Sequence, residues 1–300
     1  MMPRSTKRDQ TIPLGIVGGG SVWETRFRAA ISVLTRGKVT AVFSSLPCEA
    51  RSIADETGAQ VYFSLRRMLA RSGVKALLVL ESGWSREWAI SLATSLQIPV
   101  LVSSPIDDDL PRVASALMNQ EAEGAMVVPG TLLRATPAAL RLRELVATKL
   151  GPILDLKVEL PAGTMHDAQV ISVIDWCRWL LGSSVSQIER LATASGPLLV
   201  MCCGRRLPTT TPVRTEICCH ATSEQPVIVV RCQKGEAQLV GESKITWRTE
   251  LESAEESLEA DRPAEQVLLD LFLRRVVGGV VPVPSWADLH AACQLWHSAR

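Results

Sequence analysis

The sequence predicts an α/β chain in two parts, a doubly wound parallel sheet followed by an α+β domain with a large, mostly antiparallel open sheet. Three observations predict it. Short apolar runs alternate with helix-like segments through the first 129 residues. The first of these runs, Ile12 to Val17, ends in Gly18-Gly19-Gly20 and leads into a segment with Trp23, Phe27, Ala30, Ile31 and Leu34 at helical spacing. From Val185 to Glu252, β-like runs follow one another with turn residues between them. Strand, glycine turn and helix at the start of a domain open a Rossmann fold, in which glycines let the backbone approach a pyrophosphate at the helix N-terminus. The domains are therefore expected at 11–129 and 130–300.

The elements of the first half follow in order. Val39 to Phe43 reads as a second buried strand, and Pro47 starts a helix through Glu49, Ala50, Ile53 and Ala54. Val61 to Phe63 is short and extended. Ser64 is placed to cap a helix carrying Leu65, Met68 and Leu69. Ala76 to Leu80 is a third apolar run, and Ser85 is expected to cap a helix through Trp88, Ala89, Leu92 and Leu96. Pro99 to Val102 is a strand, Leu110 to Glu121 a helix, and Ala125 to Val128 a strand again. Near-continuous apolar strands between helices indicate a parallel sheet covered on both faces.

In the second half, Thr136-Pro137 opens a long amphipathic helix closed by Gly151-Pro152. Ile153 to Leu160 is a strand, and Val170 to Leu181 is a helix stopped by Gly182. The runs IERLATA, LLVMCC, TEICCHA, VIVVRC and ITWRTEL form the expected antiparallel sheet. Val227 to Val230 is apolar on both faces, so an assembly of several copies through this sheet is expected. Two helices end the chain, the last with Ser285 as cap, Asp288 three residues on, and Trp286, Leu289, Cys293 and Trp296 as a core stripe.

Composition narrows the function classes. Of 300 residues, 47% are hydrophobic and 21% charged, the balance of a globular chain. The net charge of +1 calls for neither nucleic acid nor an anionic membrane. No apolar run approaches the ~20 residues of a membrane span, and the basic start MMPRSTKRDQ lacks the apolar core of a signal peptide. The eight cysteines form no CxxC pair, and adjacent residues of a strand, such as Cys202-Cys203 and Cys218-Cys219, point to opposite faces. They are read as small core residues in a reducing cytoplasm, with no metal site.

In an open α/β sheet, ligands bind beyond the carboxyl ends of the strands. That rule selects Gly18, Gly19, Gly20, Ser21, Val22 and Trp23 after the first strand, and Ser44 and Ser45 after the second. It adds Glu81, Ser82 and Trp84 after the third, and Ser103 to Pro105 at the next. Arg86 and Arg134 are candidates for an anionic group on a substrate, and Trp84 for stacking on a ring. Arg26 is assigned to surface or packing, and Asp107 to Asp109 to the start of a helix.

Four segments in order resemble the Gfo/Idh/MocA family, whose namesakes are glucose-fructose oxidoreductase and inositol dehydrogenase. They are the Gly18-x-Gly20 turn; Leu77 to Ile106, with Ser103-Ser104-Pro105 where the family has Glu-Lys-Pro; Ile174 to Gly182 (IDWCRWLLG), close to the family's I-D-x-x-R-W-L-L-G helix; and Asp261-Arg262-Pro263 through Pro284. The resemblance implies an NAD(P)-dependent oxidoreductase acting on a sugar-like or other small hydroxylated substrate. It also implies that a Lys and a His would serve the reacting carbinol.

The chain departs from that pattern. The Lys position is Ser104, the His position is Ser172, and only Asp175 remains, on one helical face with Ser172. His166-Asp167 is a possible substitute base before that helix. Residue 23 is Trp where the third glycine would stand, and Ser44-Ser45 replaces the acid that would bind the ribose 2′-OH, so NADP is permitted beside NAD. Two further readings therefore stay open. One is a catalytically inactive dinucleotide-binding sensor or partner subunit of an active homologue. The other is a purely structural protein with an unoccupied nucleotide fold.

Overall fold

A computed structural model describes residues 11–103, 117–118, 124–161, 167–193, 196–204, 212–220 and 224–299. It divides into two compact units. The first comprises residues up to Gly130 together with Glu265–Trp286, and the second comprises Thr131–Ala264 and the remaining C-terminal helix. The sequence pattern assigns everything after residue 129 to the second domain. The helix Ala264–Val276 goes with the first unit instead, where Arg36 Nε meets Asp270 Oδ1 at 3.1 Å and Arg26 pairs with the buried carboxylate of Glu265.

The first unit is built on six parallel strands, β1 Ile12–Val17, β2 Gly37–Phe43, β3 Gln60–Val61, β4 Ala76–Val79, β5 Val100–Val102 and β6 Val127–Pro129. Their order is β3-β2-β1-β4-β5-β6, all pairs parallel. This is the doubly wound order in which the chain reverses direction between β1 and β4. β4, β5 and β6 are buried at every position, as expected of strands covered on both faces.

The helix after the glycine turn runs as Gly20–Val22, widens to π geometry over Trp23–Phe27, and returns to α over Arg28–Ser32. The widening begins at the indole that stands where a third glycine would let helix and strand pack closely. Pro47–Thr57 and Leu65–Arg71 follow, the latter capped as expected by Ser64, whose hydroxyl accepts from Arg67 N at 3.4 Å. The next helix differs from expectation. It begins at Gly83 behind Ser82, and Ser85 Oγ donates back to the Ser82 carbonyl at 3.1 Å instead of capping. The helix expected over Leu110 to Glu121 lies outside the described residues except at 117–118.

The second unit carries eight strands: β7 Ile153–Pro161, β8 Val185–Thr193, β9 Gly196–Cys203, β10 Val213–His220, β11 Val227–Cys232, β12 Gly235–Val240, β13 Lys244–Thr249 and β14 Ser253–Ser257. Their order is β14-β13-β12-β11-β7-β10-β9-β8. All pairs are antiparallel except β7 with β10. Leu156, Val158, Ile228, Val230, Leu239, Ile245 and Trp247 alternate onto a buried face.

On the other face Val227 and Val229 are half-buried and pair across to Glu159 and Lys157. Register-matched ion pairs, Arg231 with Asp155 at 2.9 Å and Arg248 with Glu236 at 2.7 Å, continue that surface. The face beside Val227 to Val230 thus carries charged as well as apolar side chains.

Thr136 caps the helix Pro137–Leu145, which extends in π geometry through Val146–Leu150 to Gly151. The helix Asp167–Leu181 ends at Gly182, whose φ is +59°. Trp286, Leu289, Cys293 and Trp296 are all buried as expected. Of the cysteines, Cys48 is exposed and Cys202 half-buried, whereas Cys177, Cys203, Cys218, Cys232 and Cys293 are core residues. No described helix is long and apolar enough to cross a membrane.

Candidate functional site

The strand ends of the first unit are stitched side by side. Gly18 N donates to Phe43 O at 2.8 Å, Leu80 N to Val17 O at 2.8 Å, and Ser103 N to Val79 O at 3.0 Å. The turn between β1 and the first helix therefore sits at the point of strand reversal, where an open sheet has its crevice. Gly18 and Gly20 have φ of +90° and +64°, conformations an L side chain rarely adopts.

Two carboxylates close on this turn. Glu81, following β4, reaches across the turn to the end of β2. Its Oε1 accepts from Ser45 N at 2.9 Å and from Ser45 Oγ at 3.1 Å. A Cβ on Gly18 would overlap Glu81 Cγ and stand 2.8 Å from its backbone nitrogen. Glu49, in the first turn of Pro47–Thr57, accepts from Ser44 Oγ at 3.0 Å through Oε2. A Cβ on Gly19 would lie 3.2 Å from Glu49 Oε2, and one on Gly20 would lie 3.1 Å from Oε1. Ser44 is itself held, because its hydroxyl accepts from Leu46 N at 3.1 Å.

The structure thus brings together Gly18, Gly19, Gly20, Ser44, Ser45 and Glu81 of the expected set and adds Glu49. From the sequence pattern Glu49 is simply part of the helix that Pro47 starts. Its signal was its place in the first turn after a Pro-started helix, on the side facing the strand end. Ser103 Oγ, on a 5% exposed residue, and Glu81 Oε2 are buried without a hydrogen-bond partner among the described residues.

Three expectations change. Trp23, counted among cofactor-binding candidates, is 2% exposed and belongs to the core. Arg86, a candidate for an anionic group, is fully buried, and Trp84 beside it is 76% exposed; the helix starts three residues earlier than expected. Ser21 and Ser82 are exposed and Val22 half-buried around the turn. Ser104, Pro105 and His166 lie outside the described residues.

These residues fit a dinucleotide. The turn has no Cβ in the way, the first-turn N–H groups of the 20–32 helix have no intrahelical acceptor, and a carboxylate lies beside the glycines. A pyrophosphate laid there would meet the negative charge of Glu49 and Glu81 as well as those N–H groups.

In the second unit, Asp175 is 1% exposed. Arg134 holds both its oxygens, Nε to Oδ2 at 2.7 Å and Nη2 to Oδ1, and reaches Asp288 Oδ2 at 3.3 Å through Nη1. Burial pushes the Asp175 carboxyl up from its ordinary value, against the pull of Arg134. Arg134, the second candidate for a substrate anion, is committed to carboxylates of its own chain. Ser172 is half-buried on the same helix. A cleft of about 450 Å³ opens beside the pair, lined by Arg134, Arg178, Trp179, Ser183, Ser184 and Asp288.

No family model and no curated protein matches the sequence. Solved structures match its fold over nearly the whole length. A dehydrogenase (MviM) from Clostridium difficile is 11% identical with a TM-score of 0.76, covering 96% of this chain and 98% of its own. UDP-N-acetylglucosamine 3-dehydrogenase GnnA from Acidithiobacillus ferrooxidans is 16% identical with a TM-score of 0.75, covering 97% of each chain. Myo-inositol dehydrogenase from Lactobacillus casei, solved in complex with NAD(H) and myo-inositol, is 17% identical with a TM-score of 0.72, covering 96% and 93%. The chain has the two-domain fold of Gfo/Idh/MocA-type dehydrogenases.

Proposed function

We propose that this chain is an oxidoreductase of the Gfo/Idh/MocA type. It binds a nicotinamide dinucleotide at Gly18 to Gly20 and takes a sugar-like or other small hydroxylated substrate. The observation that carries this reading is the glycine turn at the reversal point of a sheet ordered β3-β2-β1-β4-β5-β6. Likeness to dehydrogenases along the whole chain supports it.

The dinucleotide, when bound, supplies the hydride acceptor or donor. The chain's own part is to orient the substrate hydroxyl and take its proton, which needs a base of usable pKa within hydrogen-bond reach. Asp175 is the remaining carboxylate of the family pattern, and in this conformation Arg134 occupies both its oxygens. Turnover by Asp175 therefore requires the Arg134 contact to open, or else the base is His166.

That ion pair also favours a second reading, a dinucleotide-binding sensor or partner subunit without turnover. One pair of measurements separates them. Saturable quenching of tryptophan fluorescence by NADH or NADPH is expected on both readings, and its absence defeats both. Hydride exchange with a panel of polyols supports the enzyme, whereas binding without exchange supports the sensor.

A further inference from the structure

We infer that Glu49 is the ribose-recognition acid of this chain and makes it selective for NAD over NADP. The inference rests on the dinucleotide reading above. In a doubly wound fold, an acid at the end of the second strand binds the adenosine ribose 2′-OH. The residue just past that strand here is Ser44, whose neutral hydroxyl neither binds the diol strongly nor repels a 2′-phosphate.

The structure supplies the missing charge from five residues further on. Ser44 Oγ accepts from Leu46 N and donates to Glu49 Oε2, so the hydroxyl ties the carboxylate back to the strand end. Both Glu49 oxygens lie over the second half of the glycine turn, 3.1 Å and 3.2 Å from where Cβ atoms of Gly20 and Gly19 would be. Glycines here hold that space open, since a side chain at either position would crowd the carboxylate.

A carboxylate is acceptor-only, and two vicinal hydroxyls are two donors. Oε1, which makes no hydrogen bond among the described residues, is available to the 2′-OH. A phosphate on that hydroxyl would set like charges against each other. Residues 44–50 contain no Lys or Arg, and Arg51, two positions past Glu49, points to a different side of the helix.

The test uses the full chain, titrated with NADH and with NADPH and followed by tryptophan fluorescence and calorimetry. NADH is expected to bind at least about ten-fold more tightly, the scale of one charge-assisted hydrogen bond. Glu49→Gln is expected to bring the two cofactors within about three-fold of each other, mainly by weakening NADH. Ser44→Ala, which frees the carboxylate from its tether, is expected to move the ratio the same way by less. Thermal melting of each variant shows that it is folded.

Equal or tighter binding of NADPH by the unmodified chain overturns the inference. So does a ratio unchanged in Glu49→Gln, or one variant that tightens both cofactors alike, which would make Glu49 only a repulsive charge at the turn. Binding of neither cofactor overturns the dinucleotide reading itself, and this inference with it.

Discussion

One guanidinium, that of Arg134, binds both carboxylate oxygens of Asp175 and also reaches Asp288 at 3.3 Å. Arg134 lies just before the helix Pro137–Leu145, and Asp175 lies in the middle of Asp167–Leu181. The contact therefore joins segments 41 residues apart in sequence. With side-chain exposures of 10% and 1%, the pair is shielded from the water that weakens surface ion pairs.

Asp175→Ala leaves the Arg134 charge buried with only the more exposed Asp288 beside it. Breaking such a pair from one side is expected to cost about 3–5 kcal/mol. Urea denaturation measures this directly. Replacing both partners together by Arg134→Met and Asp175→Leu is expected to recover much of the loss, because no uncompensated charge then remains. A single variant as stable as the parent would show the pair to be structurally idle.

Trp23 invites repair of the glycine motif. Trp23→Gly is expected to destabilise the protein by about 3–5 kcal/mol through the cavity left by a buried indole. It is not expected to tighten NADH binding, since the indole is packed inside the first unit and not at the mouth of the turn. Thermal melting and an NADH titration on the same preparation check both halves of this statement.

Glu81→Ala removes the acceptor that ties the Ser45 turn to the end of β4. A loss of about 1.5 kcal/mol is expected, the low end of the range for hydrogen bonds to a charged group, because the contact is exposed. Amide exchange at Ser45 should rise while exchange in β5 stays as in the parent.

The buried thiols set an alkaline limit. Burial pushes Cys293 up to about 12 and Cys232 to about 11, from an ordinary 9.0, and it also raises Cys177 well above that value. Their protons are held more tightly in the folded chain than in the unfolded one. Stability is therefore unaffected below about pH 9 and falls above it as the unfolded thiols ionise, by about 1.4 kcal/mol per pH unit for each thiol until its folded value is reached. Urea midpoints measured across this range read the slope. At neutral pH, Ellman's reagent is expected to modify exposed Cys48 well ahead of Cys177, Cys232 and Cys293.

Local order was legible in the sequence wherever an apolar period or a turn residue carried it. β1, β4 and β5, the Ser64 and Thr136 caps and the Gly182 stop follow from such signals. Strands β12 and β14 were not separated as runs of their own, because Glu236, Gln238, Glu255 and Glu256 interrupt the apolar pattern on strands that bury only one face. The parallel pairing of β7 with β10 had no local signal either, since it joins residues about sixty positions apart.

The sequence by itself determined the class of the fold and the place of the glycine turn. Those are properties of residue type and spacing along the chain. Tertiary structure decided which charges meet. It set Glu49 over Gly19 and Gly20, Glu81 over Gly18, and Arg134 on Asp175. Charges interact through space, with energies set by separation and burial, so partners distant in sequence become visible only once the chain has folded.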